Sequence, residues 1–108
     1  MGVELRVYIG SGTGPLRMIR CTGDIDHDSA GRLEEAGRQA LTQPGGEFLV
    51  IDVAGVTFMD SAGLNCLRRL APVSLADPLP HRIARLLQLT GADQVFPMTD
   101  EAGEGREA

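Results

Sequence analysis

The 108-residue chain has no lysine, no tryptophan and only two cysteines, and no apolar run in it approaches the roughly 18 residues that a membrane-spanning helix requires. Each shortage closes a class of function. Without lysine, the glycine-rich stretch GSGTGP (Gly10 to Pro15) has no side chain to reach a nucleotide's phosphates, and it reads as a hairpin turn. Cys21 and Cys66 stand far apart with no CxxC or metal-ligand spacing, so both are expected to be reduced, buried packing residues and no metal site is expected. The N-terminus MGVELRVYIG lacks a basic patch followed by an apolar core, and Arg6 stands where a myristoylation motif wants Ser or Thr. A cytoplasmic location is therefore expected. Positive charge is scarce too: ten arginines face 15 acidic residues, for a net charge of −5. That balance disfavours broad electrostatic binding of nucleic acid or an anionic membrane, and points to a protein partner or small ligand.

What is present is enough apolar residue, 43% of the chain, to fold one domain that buries roughly 65% of its unfolded surface. ELRVYI alternates apolar and polar positions and reads as a strand, with Leu5, Val7 and Ile9 on one face. PLRMIRCTG alternates again and is expected to pair with it as a hairpin. In DHDSAGRLEEAGRQALTQPGG, Ser29 can cap a helix that places Ala30, Leu33, Ala36, Ala40 and Leu41 at helical spacing. FLVIDV is apolar on consecutive positions, so both its faces should be buried, as in a central strand. SAGLNCLRRL reads as a short helix with Leu64 and Leu67 inward, followed by Leu70 or Ala71, and with Arg68 and Arg69 outward. PVSLAD reads as a strand. PLPHRIARLLQLTG reads as a helix with proline in its first turn, Ile83, Leu86 and Leu87 inward and Gly91 as its stop, and QVFPM as a last short strand. The order implies an α/β sandwich, whose functional edge lies where strands end and helices begin.

Two acid-rich junctions fall on that edge: TGDIDHDS (Thr22 to Ser29) and FMDSAG (Phe58 to Gly63). At the second, Asp60 or Ser61 caps the helix, and a phosphate added to an accessible Ser61 would be stabilised by the helix dipole. A serine nucleophile is poorly supported, because Met59 stands where the sharp elbow needs glycine and only His27 and His81 are available as bases. At the first, Asp24, Asp26 and Asp28 could attract a divalent cation, but the spacing lacks the glycine and distal glutamate of a calcium loop, and capping with surface solvation is the plainer reading.

GDIDHDSA (Gly23 to Ala30) followed by FLVIDVAGVTFMDSAGLNCL (Phe48 to Leu67) closely resembles the STAS domain of bacterial anti-sigma factor antagonists, and LLQLTGADQVFPM resembles that family's last helix and exit. The resemblance implies a mixed sheet of four to five strands with helices mainly on one face and a domain over residues 1–98; the stretch from Thr99 to Ala108, acidic and without an apolar stripe, reads as a disordered tail. It implies a non-enzymatic role: binding an anti-sigma factor that is also a serine kinase, freeing a sigma factor until the kinase phosphorylates the antagonist and a PP2C-type phosphatase resets it. By position Ser61 is the implied phosphoacceptor and Asp26 an acid that contacts the kinase. Asp24, His27, Ser29, Met59, Asp60, Ala62 and Gly63 are implied to frame the partner surface. No catalytic residue, metal or cofactor of its own is implied, ATP being the kinase's substrate, and the chain is expected to be a monomer or weak dimer. One departure stands out. Typical members continue the helix after D-S-x-G-L for several turns, whereas NCLRRLAPVSLADP leads almost directly into the next strand, so a shortened second helix is expected. Two other readings stay open: a STAS sensor or scaffold subunit that binds a small ligand or nucleotide, and an unswitched paralogue that sequesters a partner.

Overall fold

The computed structural model describes residues 2–10 and 14–99. Five strands, β1 (Arg6–Gly10), β2 (Leu16–Ile25), β3 (Phe48–Met59), β4 (Val73–Ala76) and β5 (Met98–Thr99), form one sheet in the order β1-β2-β3-β4-β5. β1 and β2 are antiparallel, and every later pair is parallel. The parallel pairs need crossovers, and helices α1 (Ala30–Leu41), α2 (Ser61–Arg69) and α3 (His81–Thr90) supply them. The parallel strands therefore all end on one edge of the sheet, and α1 and α2 start there directly from β2 and β3. This is the mixed α/β fold expected, with α2 the shortest helix at nine residues.

All three helices pack their apolar stripes into a single cluster with Leu49, Ile51 and Val53 of β3 and Ile19, Cys21 and Ile25 of β2. The helical spacing read in the sequence holds at Ala30, Leu33, Ala36 and Ala40, at Leu64, Leu67 and Leu70, and at Ile83 and Leu87, all buried. Leu41 and Leu86, expected inward, are only half-buried, and Ala71 is exposed. Close approach fixes how α1 meets α2. A Cβ on Gly37 would lie 2.7 Å from a Leu70 methyl carbon, so a larger residue would push the two helices apart. Glu34 fastens the same pair, accepting from Arg38 at 2.5 Å and from Arg69 of α2 at 2.9 Å.

The expectation that FLVIDV is buried on both faces needs correcting. Leu49, Ile51 and Val53 face the helices; on the other face Val50 is buried against Leu16, Met18 and Ala76 of neighbouring strands, but Phe48 is 47% exposed. Side chains of the sheet itself, not a second helical layer, bury that face. Three smaller corrections follow from local geometry. Pro80 sits at the N-cap of α3, one residue before the first turn. The Ser29 hydroxyl occupies the N-cap of α1 without capping it. The end of QVFPM is strand only at Met98, preceded by a 3-10 turn over Ala92–Gln94. Gly91 does stop α3, in a left-handed conformation with φ 77°. Thr99, read as the start of the acidic tail, is the last residue of β5, where its carbonyl accepts from Asp77 N; residues 100–108 lie outside those described.

Candidate functional site

β2 and β3 run side by side to the edge, with Ile25 opposite Met59, and this register brings the two acid-rich junctions together. Asp60 N donates to Ile25 O at 3.2 Å, so the turn into α2 is tied to the end of β2. Asp60 then caps α2: its extended backbone lets Oδ1 accept from Ala62 N at 2.9 Å and Gly63 N at 3.1 Å. Two of the orphan amides of the first turn are thereby satisfied. Of the two capping residues the sequence allowed, the structure selects Asp60.

That assignment leaves Ser61 free. It is the first residue of α2, exposed, and its hydroxyl makes no hydrogen bond among the described residues. No histidine approaches it as a hydrogen-bonded base; His27 instead lies 3.3 Å from Asp28 in an exposed pair. Behind Ser61 the packing is tight. A Cβ on Gly63 would lie 2.8 Å from Ile25 Cγ2, 2.8 Å from Met59 Cγ and 2.9 Å from Ile25 O, so only glycine lets the first turn of α2 rest on the strand ends. Met59 and Gly63 are buried, and they shape the edge from beneath; Ala62 is half-buried and packs on the core. Cys66, one turn further, donates from Sγ to Ala30 O at 3.3 Å and so ties α2 to the start of α1.

The first junction is a knot of short bonds centred on Asp26 and Ser29. Asp26 Oδ1 accepts from the amides of Asp28 at 3.0 Å and Ser29 at 3.1 Å. Ser29 Oγ accepts from Asp26 N at 3.0 Å and lies within donating distance of Asp24 O and Asp26 Oδ1. Desolvation pushes the Asp26 carboxyl upward, but the Ser29 hydroxyl, the two amides and nearby His27 outweigh it, and the pKa falls below the ordinary aspartate value. Asp26 is thus held as a fixed negative charge. Asp24 is pinned on both oxygens, by Val3 N at 3.0 Å and by the Thr57 hydroxyl of β3 at 2.5 Å. Among the described residues no cluster of His, Cys, Asp or Glu is arranged to hold a metal ion; the hydrogen bonds of Asp24 and Asp26 brace the loop.

The edge therefore presents an exposed serine hydroxyl on a helix N-terminus, beside a rigid acidic turn. Sequence reasoning overlooked one neighbour. Phe58, in register with Asp24, is 46% exposed next to the site. Register shifts between Arg20 and Thr22 and between Gly23 and Asp24 interrupt the strict alternation along the paired strands on the approach to it.

A family model described as Mlab, STAS domain, matches residues 13–99 of the chain. The chain belongs to the STAS domain family. Among solved structures it is similar to an anti-sigma factor antagonist from Mycobacterium paratuberculosis, with 26% identity, 92% of this chain and 91% of that one covered, and a TM-score of 0.76. It shares its fold with the anti-sigma factor antagonist SpoIIAA in the unphosphorylated form, at 20% identity, 88% coverage of both chains and a TM-score of 0.61. The phosphorylated form of SpoIIAA, the Bacillus cell fate determinant, matches at 20% identity over 87% of this chain and 91% of that one, with a TM-score of 0.59. Both the STAS resemblance read from the two junctions and the expected STAS fold hold.

Proposed function

We propose that this STAS domain is an anti-sigma factor antagonist that binds an anti-sigma serine kinase through the Ser61 edge and is released by phosphorylation of Ser61. The observation that carries the reading is the division of labour at α2: Asp60 supplies the cap, and the Ser61 hydroxyl stays exposed and unbonded. The similarity to an antagonist of known structure over nearly the whole chain supports it.

The chemistry is economical. The kinase moves the γ-phosphoryl group of ATP to Ser61 Oγ: the bond from phosphorus to the β–γ bridging oxygen breaks, the Oγ–P bond forms, the hydroxyl proton passes to solvent and ADP leaves. ATP enters only as the kinase's substrate, and a PP2C-type phosphatase hydrolyses the phosphoserine. The new charge of about −1.5 to −2 sits at a helix N-terminus that tolerates it, yet joins Asp60 and the fixed charge of Asp26. Against a partner surface that crowding lowers affinity at least about 100-fold, or roughly 2.7 kcal/mol. The domain need not refold to switch.

The test is incubation with ATP and the serine kinases of the source organism, followed by mass spectrometry and binding measurements. Phosphate is expected on Ser61. Ser61→Ala should hold the kinase in the presence of ATP, and Ser61→Asp should bind it at least about 100-fold more weakly. Equal, wild-type-like binding by both variants would sink the proposal. The short α2, nine residues behind the site, suits a second reading, an unswitched paralogue that sequesters a partner through the same edge. Stable partner binding with Ser61 unmodified after incubation would favour that one.

A further inference from the structure

β3 is 12 residues long, but β4 pairs only with Leu49, Val50 and Ile51, so the last stretch of β3 runs on beyond its neighbour and α3 packs against it. An open groove of about 370 Å3 forms there between the end of β3 and α3, outside the Ser61 site but continuous with it through Met59. Its apolar lining includes Phe58, 46% exposed, the half-buried Leu86, and Leu89, 76% exposed. His81, Arg82 and Arg85 rim it. Arg82, Arg85, Leu86 and Leu89 share one face of α3 by their three- and four-residue spacing, while Ile83 and Leu87 hold the opposite face in the core.

The charge of the rim is as informative as its shape. In a chain of net charge −5, Arg32, Arg38 and Arg69 are matched by glutamates; Arg6, Arg17, Arg20, Arg68, Arg82 and Arg85 join no ion pair among the described residues, and of these Arg82 and Arg85 stand together on one helix face at the rim of this groove. We propose that this groove docks an acidic amphipathic helix of a partner protein, whose apolar residues at i, i+3 or i+4 and i+7 lie on Phe58, Leu86 and Leu89 and whose flanking carboxylates meet Arg82 and Arg85. From Arg82 to Leu89 is two helical turns, about 10 Å, the span over which an i to i+7 stripe repeats. A second copy of this chain is the poorer occupant, because it would bring two cationic rims face to face.

Two synthetic peptides of about 16 residues with the same leucine stripe, one with glutamate and the other with lysine at the remaining positions, test this by NMR titration of the isotope-labelled full chain. The glutamate peptide is expected to shift resonances of Phe58, Leu86 and Leu89, to weaken as salt is raised, and to lose at least about tenfold in affinity to Arg82→Glu/Arg85→Glu. Both arginines are exposed, so the remaining spectrum reports that the variant is folded. Four results overturn the proposal: equal binding of the lysine peptide, shifts confined to other surfaces, no perturbation by either peptide, or groove resonances that depend on protein concentration, which would assign the groove to a second copy. A fifth does so too: groove resonances that move when Asp100, Glu101 and Glu104 are neutralised, which would assign it to the chain's own acidic end.

Discussion

Gly63 carries more of the site than its size suggests. The Asp60 cap needs the Gly63 amide at 3.1 Å, and the backbone reaches that position only because no side chain stands between it and Ile25. Gly63→Ala would force a methyl group to within 2.8 Å of two core side chains and 2.9 Å of a carbonyl oxygen, so it should destabilise the domain by about 1–3 kcal/mol, the usual range for overpacking. Gly31, on the exposed side of α1 with nothing within 4 Å of its Cβ position, is the natural control. Gly31→Ala should stabilise by about 0.5–1 kcal/mol through helix propensity alone. Urea midpoints of the two variants give the comparison, and a Gly63→Ala protein as stable as the wild type would show that the α2 turn does not depend on this close approach.

At the scale of elements, the edge is two turns that brace each other, and the acidic one carries a pH signature. The Asp26 carboxyl is depressed in the folded chain, so its hydrogen-bonded charge stabilises the folded state above the unfolded aspartate value, about pH 4, and that stabilisation is lost as pH falls through the lower folded value. Asp26→Ala should therefore be less stable than the wild type at neutral pH, and the difference should narrow as the pH drops below about 4. A gap in urea stability that is unchanged with pH would remove Asp26 as the titrating brace. Most of these elements were legible from local pattern. The 3.6-residue stripe found α1, and D-S-A-G-L marked the start of α2, because helix periodicity and capping are properties of neighbouring residues. What stayed hidden is pairwise. Whether Phe48 and Phe58 are covered depends on which elements lie over the two ends of β3 and on how far β4 extends along it, and neither is written in the residues around the phenylalanines. For the same reason Leu86 read as a core residue, although it lies half-covered beside the groove.

For the whole molecule, the switch proposed at Ser61 can work in two ways, on a rigid body or through local opening of α2. One core cluster joins all three helices to the sheet, and Cys21 of β2 and Cys66 of α2 both lie fully buried within it. Burial, aided by the charges of Cys66 and Asp52, pushes the Cys21 thiol up to about 12; burial and Glu34, partly offset by Arg69 and Arg38, push Cys66 up to about 11. The folded thiols thus stay protonated where unfolded ones ionise, so stability falls as pH rises past about 8.5. Since the thiolate is the reactive species, each cysteine is doubly protected until the chain opens. If α2 moves only with global unfolding, a thiol reagent at pH 8 should modify Cys21 and Cys66 at the same rate, with a urea dependence as steep as that of overall unfolding. Site-resolved mass spectrometry reads the two rates separately. Faster labelling of Cys66 with a shallow urea dependence would mean that α2 opens on its own, and Ser61 would then act by releasing a helix instead of by adding charge to a fixed surface.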